Sequence, residues 1–461
     1  MSSWKKVTLE EISESINTGL DAIRRAPIVD FETDIKCLRI QDISQNKPIE
    51  SWGFTEVKNT DYSKFRLMKD DIIMARTCST GICFLAKQDL PAVFNNGLAR
   101  IRLKKDIAYP TYVYYVFKSK SFISYIDGIS GGTSVQLNMK IGDLSKYSFD
   151  LPPLNIQKEI ANKLSDLDKK IQLNTQINQT LEQIAQTIFK SWFIDFDPVH
   201  AKANALASGQ TAEQATQAAM AVISGKNTQE LHRLQTANPE QYQQLWEIAE
   251  AFPSGVDEEG VPRGWESKKV GEVAKIVKGK SYKSSELAPS KTALVTLKSF
   301  NRGGGYRLDG LKEYTGNYKE EQEVFAGDLI IAYTDVTQAA DVIGKPAMVM
   351  SDSCYEHLVI SLDVGVVRPK NEKHKYFLYC LAMTDTFQAH THSFCTGTTV
   401  LHLGKDAVPS FEFILPDNKF IELFDEFVLP IFVRINNIIE ENKSLEKIRD
   451  ELLPKLLSGE I

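Results

Sequence analysis

Residues 151–196 read LPPLNIQKEIANKLSDLDKKIQLNTQINQTLEQIAQTIFKSWFIDF, and the spacing inside this stretch decides the architecture. Ile160, Leu164, Leu167, Ile171, Asn174, Asn178, Leu181, Ala185, Ile188 and Trp192 follow one another at alternating steps of four and three. That is a heptad seam, and it predicts one helix over about 32 residues, roughly 48 Å long. A seam of this length needs a partner helix. The asparagines in it cost stability but restrict register, because a buried amide must find a polar group opposite.

The partner is in the same chain. About 264 residues further on, Phe424, Val428, Ile431, Ile435, Ile438, Asn442, Leu445, Arg449, Leu452 and Leu456 repeat the pattern, with Asn442 standing where Asn178 stands. Other landmarks return in the same order. Asp71-Ile-Ile-Met-Ala75 returns as Asp328-Leu-Ile-Ile-Ala332, Gly132-Thr-Ser-Val135 as Gly397-Thr-Thr-Val400, and Trp4 as Trp265. Two copies of one unit predict a pseudo-twofold object with two grips. Pro430 is expected to kink or break the second helix, and Arg449 occupies a seam slot, with Ile448 available to rotate in.

Working outward, the chain divides into a mixed α/β head at 1–151, a central helix at 152–196, a helical connector at 197–262, a second head at 263–416 and a C-terminal helix at 417–461. The expected fold class is α+β: two pseudo-symmetric mixed α/β heads joined by two long antiparallel coiled-coil helices. Short β-rich runs bounded by Gly, Pro, Asn and Asp supply the strands. Tyr112–Phe122 and Tyr376–Phe387 read as aromatic-rich helices at equivalent places. The connector is dominated by Ala and Gln and closes in a loop containing Pro253, Gly255, Gly260, Pro262 and Gly264.

The chemistry of the chain is that of a binder. No Walker loop, HExxH or nucleophile-elbow serine is present, and the Asn/Asp-Pro-Pro-aromatic tetrapeptide of adenine methyltransferases is missing. Gly303-Gly304-Gly305 lacks the lysine of a phosphate loop and reads as a flexible turn. His390, His392, Cys395 and His402 have no counterpart ligands in the first copy, so no metal site is expected. Asp71 and Asp328 each open an apolar strand and read as turn caps rather than catalytic acids. The six cysteines form no disulfide-like framework, which points to free thiols in a reducing cytoplasm. No apolar run is long enough to span a membrane. The net charge of −6 is uninformative, but between Trp265 and Phe300 eight lysines face three acids.

The run Leu151–Ala161, with Leu167-Asp-Lys-Lys-Ile171 and Phe189-Lys-Ser-Trp-Phe-Ile-Asp-Phe196, resembles the central region of type I restriction–modification specificity subunits. Leu452-Leu-Pro-Lys-Leu-Leu-Ser-Gly-Glu-Ile461 resembles the closing motif of that family. The likeness covers the whole chain, departing in the connector, at Pro430 and in the loop before the second helix. It implies a prokaryotic, non-catalytic subunit in which each head is a target recognition domain for one half of a split DNA sequence. The implied coiled coil sets the gap and docks methyltransferase subunits, two of them, to which motor-nuclease subunits attach. S-adenosylmethionine, ATP and magnesium would belong to those partners, with no cofactor held by this chain.

Base readout needs Arg, Lys, Asn, Gln, Ser and Thr presented into the major groove, while phosphate contacts set register. Candidates in the first head are Arg76, Thr77, Arg100, Arg102, Thr133, Ser134 and Gln136. In the second head they are Lys278, Lys280, Lys283, Arg302, Arg307, Tyr333, Thr334, Thr398 and Thr399. Two other readings compete. A coiled-coil DNA-binding adaptor outside restriction would explain the helices but not the paired heads, and a self-sufficient nuclease or methyltransferase would need the missing motifs.

Overall fold

The computed structural model describes residues 4–130, 138–336, 340–350 and 352–461. It contains two compact units: residues 1–173 with 442–461, and residues 174–441. The heptad stretches form unbroken helices, Leu154–Phe193 and Asn418–Ser458, and each helix contributes to both units.

Within the second unit the two helices run antiparallel, since Asn178 meets Ile435 and Phe189, further along, meets Phe424, which is earlier. Every predicted seam residue is buried or half-buried. The polar slots are filled in two ways. The Asn174 amide donates to Glu441 at 3.0 Å, whereas Asn178 donates to the backbone carbonyl of Ile435 at 3.3 Å. Further along this pair, Phe189, Trp192 and Phe193 pack around Phe424, whose ring is fully buried.

Two expectations about the second helix are corrected. Pro430 does not break it, because the proline is on the exposed face, where water can reach the carbonyl that its missing N–H leaves free. Ile448 does not rotate in and stays exposed, while Arg449 keeps its seam slot. The reason lies in the first unit. Asp168 on the facing helix accepts from Arg449 at 2.9 Å and from the Tyr115 hydroxyl at 2.8 Å, so the guanidinium is neutralised where it enters.

The two units share a framework. In the first, strand Lys5–Thr8 pairs antiparallel with Ser148–Leu151; in the second, Glu266–Lys269 pairs with Glu412–Leu415. Next comes a four-stranded antiparallel sheet, ordered Ser13–Thr18, Leu98–Leu103, Ile72–Ala75, Cys83–Leu85 in the first unit. Its counterpart is Ala274–Lys278, Val364–Pro369, Leu329–Ala332, Pro346–Met348. A second sheet contains one parallel pair in each unit, Lys36–Leu38 with Ala92–Phe94 and Thr292–Val295 with His357–Ile360. Its outer strand differs. Ile28–Val29 lies beyond Gly53–Thr55 in one unit, and Glu323–Val324 lies beyond His357–Ile360 in the other.

One crossing fixes a residue type in both units. The chain leaves its sheet at Gly19 and Gly279 directly over a neighbouring turn, where a Cβ would fall 2.3 Å from the Asn95 carbonyl oxygen or 2.1 Å from that of Ser361. Only glycine fits there. The carboxylates opening the central strands act as expected. Asp71 accepts the Met68 N–H at 2.9 Å and Asp328 the Phe325 N–H at 2.7 Å. Each also pairs with an arginine of the next strand: Arg102 bidentately at 2.8 Å, and Arg368 at 2.6 Å.

Each predicted aromatic-rich helix is two helices: Pro110–Val116 with Lys120–Ile129, and Lys375–Ala382 with Asp385–Ser393. The break falls where Ser119 and Thr384 cap the following helix through their side-chain oxygens. The connector folds as four helices, Asp197–Ala207, Ala212–Ser224, Thr228–Ala237 and Pro239–Ala251. Buried Lys202 closes it by donating to the carbonyls of Ala249, Glu250 and Phe252 at 3.3, 2.9 and 2.5 Å, satisfying the C-terminal end of the last helix.

The Asp168 network gives a prediction. Burial opposes its ionisation, but Lys118, Arg449 and Tyr115 outweigh that and hold its pKa below the usual carboxylate range. A depressed carboxylate adds stability above its unfolded pKa of about 3.9 and loses it as pH falls through the folded value. Asp168→Asn is therefore expected to cost about 1–3 kcal/mol at pH 7. The difference should shrink steadily below about pH 4, measured by urea unfolding of parent and variant.

Candidate nucleic-acid interface

In both units the central strand runs out into the same construction. After Ile72–Ala75, the N–H of Arg76 donates to Gly97 and its carbonyl accepts from Met139, and Thr77 bridges to Asn138. After Leu329–Ala332, the N–H of Tyr333 donates to Asp363 and its carbonyl accepts from Leu403, and Thr334 pairs with His402. The edge thus gathers three chain segments that are far apart in sequence: the strand end, the turn before the adjacent strand, and the segment that leads towards the next long helix.

The first unit's edge is rich in amides. Arg76 is half-buried and donates to the Met139 carbonyl at 3.3 Å, the Asn96 carbonyl at 3.2 Å and the Asn138 side chain at 3.2 Å. Asn96 and Asn138 are exposed, and half-buried Asn95 holds the Gly97 N–H at 3.2 Å. These three asparagines were absent from the sequence-derived candidates. The turn signal Asn95-Asn96-Gly97 after an apolar run could have marked two of them.

Other first-unit candidates are engaged elsewhere. Arg100 is buried, donating to the carbonyls of Arg66 and Lys64 at 3.1 and 3.2 Å, and burial followed by neighbouring Arg102 lowers its pKa. Arg102 sits at the opposite end of its strand from the edge, held by Asp71, whose hydrogen bond raises the guanidinium pKa. Thr133, Ser134 and Gln136 lie outside the described residues.

The second unit's edge has a different lining. Tyr333 is buried with its ring against Gly365, where a Cβ would approach to 2.5 Å, and the exposed Lys278 ammonium lies 4.5 Å from the ring centroid. Thr334 is also buried and donates to Asp363 at 2.8 Å. Lys280 lies in the same turn and donates to the Asn317 carbonyl. Thr398 and Thr399 are exposed on the turn joining strands Cys395–Thr396 and Leu401–Leu403. Asp335, missed by sequence reasoning, accepts the N–H groups of Val342 and Ile343 at 2.8 and 3.3 Å, and Arg302 reaches Asp341 beside them at 3.6 Å. Arg307 pairs instead with Asp309, and Lys283 is exposed on a separate turn.

Among the described residues, no group of three His, Cys, Asp or Glu side chains is placed to hold a metal ion. His390 instead contacts the Ser410 hydroxyl at 3.2 Å. No described helix is long and apolar enough to cross a membrane.

A duplicated frame ending in two differently lined polar edges has a match among known sequences. Residues 1–183 and 262–440 match the family described as type I restriction modification DNA specificity domain. The chain belongs to the type I restriction–modification DNA specificity family. It is 31% identical over its full length to the full-length HindI specificity subunit of Haemophilus influenzae. It is 27% identical to the MjaIX specificity subunit of Methanocaldococcus jannaschii, over 85% of this chain and 78% of that protein. A crystal structure of the S subunit of a type I restriction–modification system from M. genitalium aligns with 98% of this chain and 96% of that one, with 15% identity and a TM-score of 0.47. Each family match contains one of the two edges, and all four connector helices lie between them.

Within this specificity-family frame, the Tyr333 hydroxyl is buried without a hydrogen-bond partner among the described residues, and burial raises its pKa. Removing an unsatisfied buried hydroxyl costs no hydrogen bond. Tyr333→Phe is expected to leave thermal stability unchanged or raise it by up to about 1 kcal/mol. A clear loss in thermal unfolding would mean that the hydroxyl has a partner after all.

Proposed function

We propose that each unit reads one half of a split duplex target through its strand-end edge, and that the long helices set the gap between halves. The observation that carries this reading is one frame presenting two different linings at equivalent positions: Arg76 with Asn95, Asn96 and Asn138 in one unit, Tyr333 with Lys278 and Thr334 in the other. A shared frame serves a shared task, docking on a regular duplex, while the unlike linings suit unlike sequences. Asparagine and arginine amides and guanidinia are suited to adenine and guanine edges, and exposed lysines to phosphates.

On this reading the chain makes and breaks no bonds. Methyl transfer belongs to modification subunits docked on the helices, two per complex, and cleavage to motor-nuclease subunits beyond them. S-adenosylmethionine, ATP and magnesium are bound by those partners. Any adenine to be methylated would be extruded into the partner's pocket.

The test separates gap from sequence. One heptad spans about 10.5 Å of helix, or roughly three base pairs. Inserting a heptad into 156–192, with a matching one in the second helix, should lengthen the methylated target's gap by about three base pairs and leave both half-sites intact. Replacing the first unit's edge should change one half-site only. Methylome sequencing of cells carrying each variant reads both outcomes. Altered bases after a heptad insertion, or methyl transfer to DNA by the purified chain alone, would overturn the proposal.

A further inference from the structure

The second unit's edge has one property that hydrogen bonding does not describe. It carries three apolar side chains on turns that face water: Val336 is 70% exposed, Leu362 52% and Val400 38%. They belong to one place. Thr334 pairs with His402 and Asp335 with Leu401, so the next residues in that register are Val336 and Val400. Leu362 precedes Asp363, which takes the Tyr333 N–H and the Thr334 hydroxyl, and its own N–H donates to Lys280 at 2.8 Å.

In the first unit the turn equivalent to Leu362 carries Asn96, whose N–H donates to Leu20 at 2.7 Å in the same crossing. An exposed amide in one unit is thus an exposed isobutyl group in the other. The trio does not fill the core beneath, which is already closed by Ile330, Ala332, Ile360 and Val364. Single exposed apolar residues need no explanation, but three on one edge mark a surface that is covered in use.

The surroundings indicate what covers it. Exposed Lys278 stands at the same edge, within a stretch where eight lysines face three acids. This combination of cationic flank and apolar tip fits an anionic partner with a recessed apolar feature. In the major groove of duplex DNA that feature is the 5-methyl group of thymine.

We infer that Val336, Leu362 and Val400 select thymine in the second unit's half-site by packing against its methyl groups. This rests on the proposal that each unit reads duplex DNA. The test uses the assembled complex of this chain with its methyltransferase subunits, and duplexes bearing the methylated target. The second unit's half-site is the one retained when the first unit's edge is replaced.

Substituting deoxyuridine for thymidine in that half-site removes only methyl groups, and should weaken binding roughly fourfold for each contacted methyl. The same substitution in the other half-site should have a smaller effect. The triple variant Leu362→Asn, Val336→Ser, Val400→Ser should lose the sensitivity to deoxyuridine while still assembling with its partners. All these side chains are exposed, so the variant is expected to fold.

A half-site without thymine, or a deoxyuridine penalty that persists in the variant, would overturn the inference. So would a variant that no longer retains its methyltransferase subunits, since the trio would then be a protein-docking surface. A parent complex with no sequence preference at all would overturn the underlying DNA reading as well.

Discussion

An apolar seam some thirty residues long cannot remain in water, and the structure of each unit follows from how that seam is covered. In the second unit, Ala185, Phe189, Trp192 and Phe193 of one helix meet Phe424, Val428 and Ile435 of the other in a single core that also takes in Tyr376, Phe377 and Leu381 of the head. In the first, Ile160, Ala161 and Leu164 meet Leu453 and Leu456 in a core shared with Tyr112, Val113 and Val116. The helices therefore do more than pair. They are the floor on which each head's sheet and short helices are built, so helix register and head position are coupled by the same buried surface.

Polar groups at the seam pin this packing to one arrangement. Tyr115 bonds Asp168 and Tyr379 bonds Glu182, so the equivalent tyrosine of each head is tied to the first long helix. Arg449 joins the first of these pairs, and among the described residues nothing matches it in the second. A slipped register would leave these groups buried without partners, at a cost comparable to the net stability of a domain. Duplication supplied the frame, and local divergence such as Phe432 stacking on Tyr376 adapted it.

On the proposed reading, recognition resides in the parts that the frame does not constrain. The Asp71–Arg102 and Asp328–Arg368 pairs, and the glycine crossings at Gly19 and Gly279, recur because the sheet geometry requires them. Asn96 and Leu362 differ because both are exposed and no packing demand makes them agree, whereas Tyr333 fills the space over Gly365 where the first unit has half-buried Arg76. This division also explains which candidate residues were legible in the sequence. That Arg76, Thr77, Tyr333 and Thr334 share equivalent edges was legible because they end strands marked by a repeated motif. Arg100 and Arg102 looked equivalent to Arg76 as basic residues near a strand, yet one is buried against backbone carbonyls and the other neutralised by Asp71. Asn138, Asp335 and Leu362 are ordinary in sequence and become notable only through their neighbours.

What the sequence by itself determined is periodic or repeated: two helices with a shared heptad register, two heads with the same landmarks, glycine and aspartate at the turns, and membership of a family. Heptad spacing and turn chemistry are local, so they can be read along the chain. Only the tertiary structure decided that Pro430 is harmless on an exposed face, that Arg449 stays in the seam, and that the edges gather segments from residues 76, 96 and 138 or 278, 333, 362 and 401. Whether an arginine is a free reader or a spent structural partner depends on which carbonyl or carboxylate the fold brings beside it. That is a property of distance in space, and residue type alone does not encode it.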